Sequence, residues 1–182
     1  MDRLFEAFFV LKQEFHELKL VKVGDQGRSK QFRSDTMKKL SGLGLIRDVI
    51  FVGHVSELDL AYYFSSAALL AYPSLYEGFG LPPLEAMACG CPVVTSNTSS
   101  LPEVVGEAGI MVNPYDTRSL VQAMRKVLTD KELRDNMVRA GLEQSKKFSW
   151  KKTAKLTLQV YNKVARREKP KNGNKSHRLC SQ

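Results

Sequence analysis

Residues 68–95 read ALLAYPSLYEGFGLPPLEAMACGCPVVT, and the order of apolar runs in this stretch decides the fold. Ala68 to Tyr72 (ALLAY) is a short apolar run closed by Pro73, as expected of a buried strand. Pro82 to Ala88 reads as a helix, because its two prolines fit a first turn, where missing N–H groups cost nothing. Pro92 to Thr95 (PVVT) is a second strand. Strand, helix and strand in this succession place the two strands in parallel, joined by a helical crossover.

The alternation continues outward in both directions. Upstream, Asp2 to Phe15 is an amphipathic helix, with Leu4, Phe5, Phe8, Leu11 and Phe15 at helical spacing. Leu18 to Val23 (LKLVKV) is a strand ending at the polar turn Gly24-Asp25-Gln26-Gly27. Ser29 to Leu43 is a helix and Val49 to Val52 a buried strand. Ser56 caps a helix running to Ser66, with Glu57 and Asp59 suiting its positive end. Downstream come a helical turn at Leu101–Val105, a small strand at Ile110–Val112, and three helices, Thr117–Leu128, Lys131–Lys147 and Trp150–Arg167. Phe8, Phe9, Tyr62 and Tyr63 are expected at the core or its edge, and Trp150 as an anchor for the last helix. The pattern predicts an α/β fold, a Rossmann-like parallel sheet with helices on both faces. In such sheets ligands sit at the carboxyl ends of the strands, so the loops of interest are 24–28, 53–56, 73–81 and 96–100.

The 182 residues suffice for one domain, and 43% hydrophobic with 26% charged residues is ordinary for a globular one. A chain of this size buries roughly two-thirds of its unfolded surface and needs no disulfide or metal staple. Its three cysteines agree: Cys89 and Cys91 are one residue apart, too close for an ordinary disulfide, and no zinc-ligand spacing is present. No apolar leader segment and no run of about 20 apolar residues is visible. The expectation is a cytoplasmic protein, or one peripheral to a membrane.

The net charge of +9 is unevenly placed. From Lys146 onward there are 12 basic residues against the single acid Glu168, a net of +11, so residues 1–145 carry −2. The basic end has no aromatic-interleaved face and no nucleic-acid-binding motif, which argues against nucleic acid as a partner. Residues 168–182 read as a disordered, solvated tail, with weak contact to an acidic membrane surface as the alternative.

The loop 73–81 carries the chemistry. Gly78 and Gly80 flank Phe79 and let the backbone bend toward a ligand. Because Pro82 and Pro83 have no N–H, the amides able to meet an anion are those of Phe79, Gly80 and Leu81, assisted by the helix dipole. Glu85, on the first turns of that helix, can accept two hydrogen bonds from a cis-diol such as a ribose. Glu77, nearer the strand, can accept from hydroxyls of a second sugar. Such a cradle describes a nucleotide diphosphate sugar. The plainer alternative is that the glutamates are solvated and merely favour the helix terminus, by about 0.3–1 kcal/mol.

Glu77 and Glu85, with seven residues between them, resemble the E-x7-E signature of family 4 glycosyltransferases, retaining enzymes of GT-B fold. PSLYEGFGLPPLEAMACGCPVV (73–94), FVGHVSELDLAYYFSSAALLAY before it, SSLPEVVGEAGIMVNP after it and VKVGDQG near the start are all similar to that family's nucleotide-binding domain. The resemblance implies that Glu77, the candidate catalytic residue, contacts the donor sugar hydroxyls. It implies that Gly78, Phe79, Gly80 and Leu81 meet the sugar and diphosphate, that Glu85 holds the ribose diol, and that His54 and Val55 lie against the base. The donor would be a UDP- or GDP-sugar and the acceptor a hydroxyl, with no metal and no other cofactor. Residues 1–167 would form the nucleotide-sugar-binding domain, the C-terminal half of a GT-B enzyme. The family's first strand, with the Arg and Lys that neutralise the diphosphate, and its N-terminal acceptor domain have no counterpart in these residues. Arg28 and Lys30 follow a different strand and are not assigned that role. The chain is therefore expected to be inactive without a separate acceptor domain. The alternatives are a non-catalytic nucleotide-sugar-binding module and one subunit of a split glycosyltransferase.

Overall fold

A computed structural model describes residues 2–25 and 29–167. The tail expected at 168–182 and the turn residues 26–28 lie outside the described residues. The chain divides into two units, residues 1–147 and 148–182.

In the first unit the order is α1 (Asp2–Lys12), β1 (Leu20–Val23), α2 (Lys30–Gly42), β2 (Val49–Gly53), α3 (Glu57–Ser66) and β3 (Leu70–Tyr72). There follow α4 (Leu81–Ala88), β4 (Val93–Ser96), α5 (Leu101–Val105), a 3-10 turn (Gly106–Ala108), β5 (Ile110–Val112), α6 (Thr117–Thr129) and α7 (Lys131–Ser145). Every strand pairing is parallel. The strands form two sheets, β1-β2 and β3-β4-β5. Leu20 stands opposite Val49 in the first, and Leu70 opposite Val93 and Val94 opposite Ile110 in the second.

All four residues of β4 are buried, and its alternation sorts the layers. Val94 joins the cluster made by Leu4, Ala7 and Leu11 of α1 with Leu120, Met124 and Val127 of α6. Val93, one residue earlier, joins Ala86 and Met87 of α4, Phe64 of α3 and Val104 and Val105 of α5. Helices thus cover both faces of the sheet. A third cluster, Phe5 and Phe8 with Leu40, Leu45 and Val49, lies under β1-β2.

Helix α1 ends at Lys12 rather than at Phe15, although Phe15 still packs on the first cluster and its N–H reaches Leu11 O at 2.9 Å. Of the four aromatics expected at the core or its edge, Phe8 is buried, whereas Phe9, Tyr62 and Tyr63 are exposed, Tyr62 the most at 61%.

Ion pairs hold the periphery. Asp48 accepts from Lys19 Nζ at 2.6 Å and lies 2.9 Å from Lys12 Nζ, and these hydrogen-bonded cations hold its carboxyl below the ordinary 3.8. Its stabilising contribution is present at neutral pH and is lost as the pH falls through that lowered value.

One buried polar atom has no partner among the described residues: Thr95 Oγ1, on a residue with no exposure at all. An unsatisfied buried hydroxyl costs about 1–3 kcal/mol, and an isosteric apolar replacement removes that cost. Thr95→Val is therefore expected to raise the thermal midpoint by about 2–4 °C in calorimetry. A lowered midpoint would show that the hydroxyl is satisfied.

The described part of the second unit is one helix, α8 (Trp150–Arg167). The helix is amphipathic in itself: Trp150, Ala154, Tyr161 and Ala165 recur at helical spacing, with Lys152, Lys155 and Lys163 on the opposite side. Among the described residues no helix is long and apolar enough to cross a membrane.

Candidate functional site

The loops that leave the carboxyl ends of the strands are tied to one another in sequence. After β1, Gly24 N–H donates to Gly53 O at the end of β2, at 2.7 Å. The loop after β2 leads into α3, whose Glu57 lies close enough to Glu85 of α4 to act on its charge. The loop after β3 is bonded along its length to the loop after β4. These contacts make one rim of loops 53–56, 73–81 and 96–100, as the sequence implied.

Helix α4 begins at Leu81 with Gly80 as its N-cap, at φ +107. Only glycine adopts this region without strain, and Gly80 is also packed: an added Cβ would lie 2.9 Å from Cδ2 of the buried Leu101. No side chain caps the helix, and Pro82 and Pro83 occupy its first turn. The positive terminus therefore keeps no carboxylate or hydroxyl of its own as a cap. Gly78 is different from Gly80: its φ is not positive, and nothing lies within 4 Å of where a Cβ would stand. Its service is empty space beside the loop. Phe79 and Leu81 are both exposed, with 43% and 41% of their surfaces accessible.

Glu77 is half-buried and held by its side chain. The Tyr72 hydroxyl and Ser74 Oγ both donate to Oε1, each at 2.7 Å. Burial first, then the hydrogen bond and charge of Glu77, push the Tyr72 phenol far above its ordinary value, so it remains a donor at any physiological pH. With Oε1 saturated, Oε2 is the oxygen left for a hydroxyl. Neither Tyr72 nor Ser74 was singled out in the sequence. The available signal was their position, at the end of β3 and the start of the loop that holds Glu77.

Glu85 is exposed on α4. Partial desolvation of its carboxyl, and then the Glu57 carboxylate, raise its affinity for a proton above the ordinary 4.5. The pairing with Glu57 brings the start of α3, and with it the His54–Ser56 loop, beside Glu85. His54 is exposed and Val55 half-buried. Val55 also lines an open groove of ≈ 380 Å³ with Asp59, Tyr62, Tyr63 and Ser66 of α3. Glu77, Glu85 and residues 78–81 do not line that groove.

The two described cysteines, Cys89 and Cys91, are both free thiols. Cys91 is buried among the α4–β4 core residues, which pushes its thiol up to about 11 and leaves it inert. Cys89 is half-buried and its thiol is likewise raised, by burial and then by Glu85. Among the described residues, no group of three or more His, Cys, Asp or Glu is placed to hold a metal ion.

At this end of the parallel strands α4 starts without a side-chain cap, Glu77 precedes it and Glu85 follows on the helix, and helix N-termini of this kind favour anions. Residues 1–144 match the family described as glycosyl transferases group 1, and the chain belongs to that family. It is 45% identical over 111 residues to O-antigen chain mannosyltransferase B of Escherichia coli, which covers 61% of this chain and 29% of that protein. Sucrose-phosphate synthase from Thermosynechococcus elongatus is similar in structure, with a TM-score of 0.76 and 31% identity over 90% of this chain and 41% of that one. Anabaena HepE, solved with UDP-glucose, shares the fold at a TM-score of 0.75 and 23% identity, over 90% of this chain and 44% of that one. The chain thus spans less than half the length of these proteins. The fold is that of GT-B glycosyltransferases.

Proposed function

We propose that this chain is the donor-binding portion of a retaining glycosyltransferase that moves a sugar from a UDP- or GDP-linked donor to an acceptor hydroxyl. The observation that carries the reading is Glu77: Oε1 is saturated by two protein donors, and Oε2 remains for the sugar. On this reading Glu77 fixes the donor sugar, and Gly78 leaves room for it. The terminus of α4 at Phe79, Gly80 and Leu81 faces the diphosphate, Glu85 accepts from the ribose diol, and His54 and Val55 flank the base. In the transfer, the bond from the sugar's C1 to the diphosphate oxygen breaks and a bond from C1 to the acceptor oxygen forms. The helix terminus supplies part of the stabilisation that the departing diphosphate requires. The reading calls for no metal.

A separate acceptor domain completes the site. The likeness to proteins more than twice as long supports this. The division of the strands into β1-β2 and β3-β4-β5 supports a further strand of this same domain between β1 and β3. The purified 182-residue chain is accordingly expected to transfer no sugar. Donor-dependent glycosylation of any acceptor by the chain alone would overturn that. Restoration of transfer by a separate acceptor-binding chain would place this protein in a split enzyme, and its failure would favour a non-catalytic binding module.

Calorimetric titration with UDP and with GDP tests the donor site itself. Saturable binding of at least one is expected, and the stronger of the two identifies the base. Absence of binding to either would refute the assignment.

A further inference from the structure

The loop between β4 and α5, residues 96–100, reads SNTSS, and four of its five side chains are hydroxyls. All four donate to backbone carbonyls of the facing loop that carries Glu77. Ser96 Oγ bonds Ser74 O, and Thr98 Oγ1 bonds Leu75 O at 3.3 Å. Ser99 Oγ donates to Glu77 O at 2.6 Å, and the Glu77 N–H donates back to the same oxygen at 3.2 Å. Ser100 Oγ lies 2.7 Å from Phe79 O and 3.1 Å from Glu77 O, so its single proton is shared between them.

These bonds do different work. Those of Ser96 and Thr98 tie down the start of the loop, and in a serine- and threonine-rich turn they need no explanation beyond folding. Ser99 engages both the N–H and the C=O of one residue, Glu77. A hydroxyl that holds both backbone groups of a residue fixes its φ and ψ together, and so fixes the direction in which its Cα–Cβ bond leaves the chain. Tyr72 and Ser74 then hold the end of the same side chain. Ser100 adds the carbonyl of Phe79, one residue before the cap of α4.

Ser99 adopts this position under strain. Its φ is +59, and it is the only non-glycine residue with positive φ among the described residues. An L-residue there costs about 1–2 kcal/mol, and neither its side chain nor its exposure offers a packing reward, since Ser99 is exposed. If only the turn mattered, glycine would serve without strain. What serine supplies that glycine cannot is the hydroxyl on Glu77. Backbone strain held by local hydrogen bonds is a feature of sites that preorganise a functional group.

We propose that Ser99 and Ser100 are positioning residues for donor-sugar recognition: they fix the backbone of Glu77 and Phe79 so that the Glu77 carboxylate meets the sugar. The inference rests on the donor-site reading above and adds to it the loop that presents the sugar-reading residue. It concerns the sugar half of the donor. Glu85 and the 53–56 loop, which meet the nucleoside half, are not bonded to Ser99 or Ser100.

That separation gives the test. The full chain and the variants Ser99→Gly, Ser100→Ala and Ser100→Thr are titrated with a nucleoside diphosphate and with its sugar conjugate, using the base that wild type prefers. The quantity read is the ratio of the two affinities, which reports the contribution of the sugar. In Ser99→Gly the ratio is expected to fall by about 5- to 10-fold, because the two hydrogen bonds that support the Glu77 backbone are lost and only part of their worth reaches the sugar. Affinity for the nucleoside diphosphate alone is expected to stay within twofold. The thermal midpoint is expected to hold or rise, because glycine relieves the φ strain. Ser100→Ala also frees Phe79 at the diphosphate end, so it should weaken both ligands, the conjugate more, and Ser100→Thr, which keeps the hydroxyl, should restore both. Amide hydrogen exchange reads the clamp without any ligand: the Glu77 N–H is expected to exchange faster in Ser99→Gly than in wild type.

Three results overturn the inference. One is an unchanged affinity ratio in Ser99→Gly. Another is an equal loss of affinity for nucleotide and conjugate with a lowered midpoint, which would mark a folding role. The third is unchanged exchange at Glu77. Failure of wild type to bind either ligand is a distinct result, which refutes the donor-site reading and takes the inference with it.

Discussion

Gly80→Ala is expected to destabilise the chain by about 3 kcal/mol, lowering the thermal midpoint by about 6–12 °C. Two costs combine. At φ +107 an alanine is in a region that L-residues avoid, at about 1–2 kcal/mol. Its Cβ would also stand 2.9 Å from Cδ2 of Leu101, which is fully buried in the packing of α5 and has little room to yield. Overpacking of this kind costs about 1–3 kcal/mol. The control is two residues away. Gly78→Ala has neither cost, since its backbone is ordinary and its Cβ direction is open, so its midpoint should move by less than about 0.5 kcal/mol equivalent. Its added methyl would intrude on the ligand side, and donor affinity should fall while stability holds. Equal midpoints for Gly80→Ala and wild type would mean that the tight start of α4 is not as described.

Glu85→Ala is expected to weaken binding of a nucleoside diphosphate by 10- to 100-fold, about 1.4–2.8 kcal/mol, because an exposed charged acceptor for the diol is replaced by water and the net loss is about that of one hydrogen bond to a charged group. The pH dependence gives the residue a signature. Desolvation, then the Glu57 carboxylate, raise the Glu85 proton affinity above the ordinary 4.5. The ionised form is the acceptor, so affinity should be flat at neutral pH and weaken as the pH falls through that raised value, earlier than for an ordinary glutamate. In Glu85→Ala this dependence should flatten. For the unliganded chain the sign is the reverse. A carboxyl whose folded value is raised contributes stability below its unfolded value and loses it as the pH rises through the folded one. Glu85→Gln should therefore hold or raise the midpoint at neutral pH while binding weakens. A residue that costs stability in the free chain and strengthens a ligand complex behaves as a binding residue, not as a helix-terminus stabiliser. Unchanged affinity in Glu85→Ala would remove it from the ribose role.

The architecture was legible because its signals are short-range. Alternating apolar runs placed every strand and helix, and several bounds coincide: β5 at Ile110–Val112, α5 at Leu101–Val105 and α8 at Trp150–Arg167. Caps were readable too, with Ser56 accepting from Asp59 N–H at 3.1 Å. Errors arose where the pattern has no directional information. The doublets Phe8-Phe9 and Tyr62-Tyr63 are equally apolar on paper, yet Phe8 alone of the four is buried. Strand order is also non-local, so the split between β1 and β3 could be expected only from the family resemblance.

The site divides in the same way. Glu77, Gly80 and Glu85 were singled out through glycine, proline and carboxylate spacing. The two glycines looked alike in sequence, whereas one is required by φ and packing and the other only leaves space. Tyr72, Ser74, Ser99 and Ser100 were missed because what they do is bond to Glu77, and Ser99 and Ser100 do so across 22 and 23 residues of sequence. Hydroxyls carry no charge and match many environments, so only geometry distinguishes a clamp from a solvated turn.

The claim on which the rest depends is that Glu77, the start of α4 and Glu85 meet one nucleotide sugar. Backbone amide NMR of the labelled chain, titrated with the conjugate of the preferred base, tests it most directly. The account predicts saturable shifts at Gly78, Gly80, Leu81, Glu77 and Glu85, with those at Glu77 and Gly78 weaker or absent when the nucleoside diphosphate lacks its sugar. Saturable shifts confined to other residues, with the 77–85 amides unmoved, would contradict it.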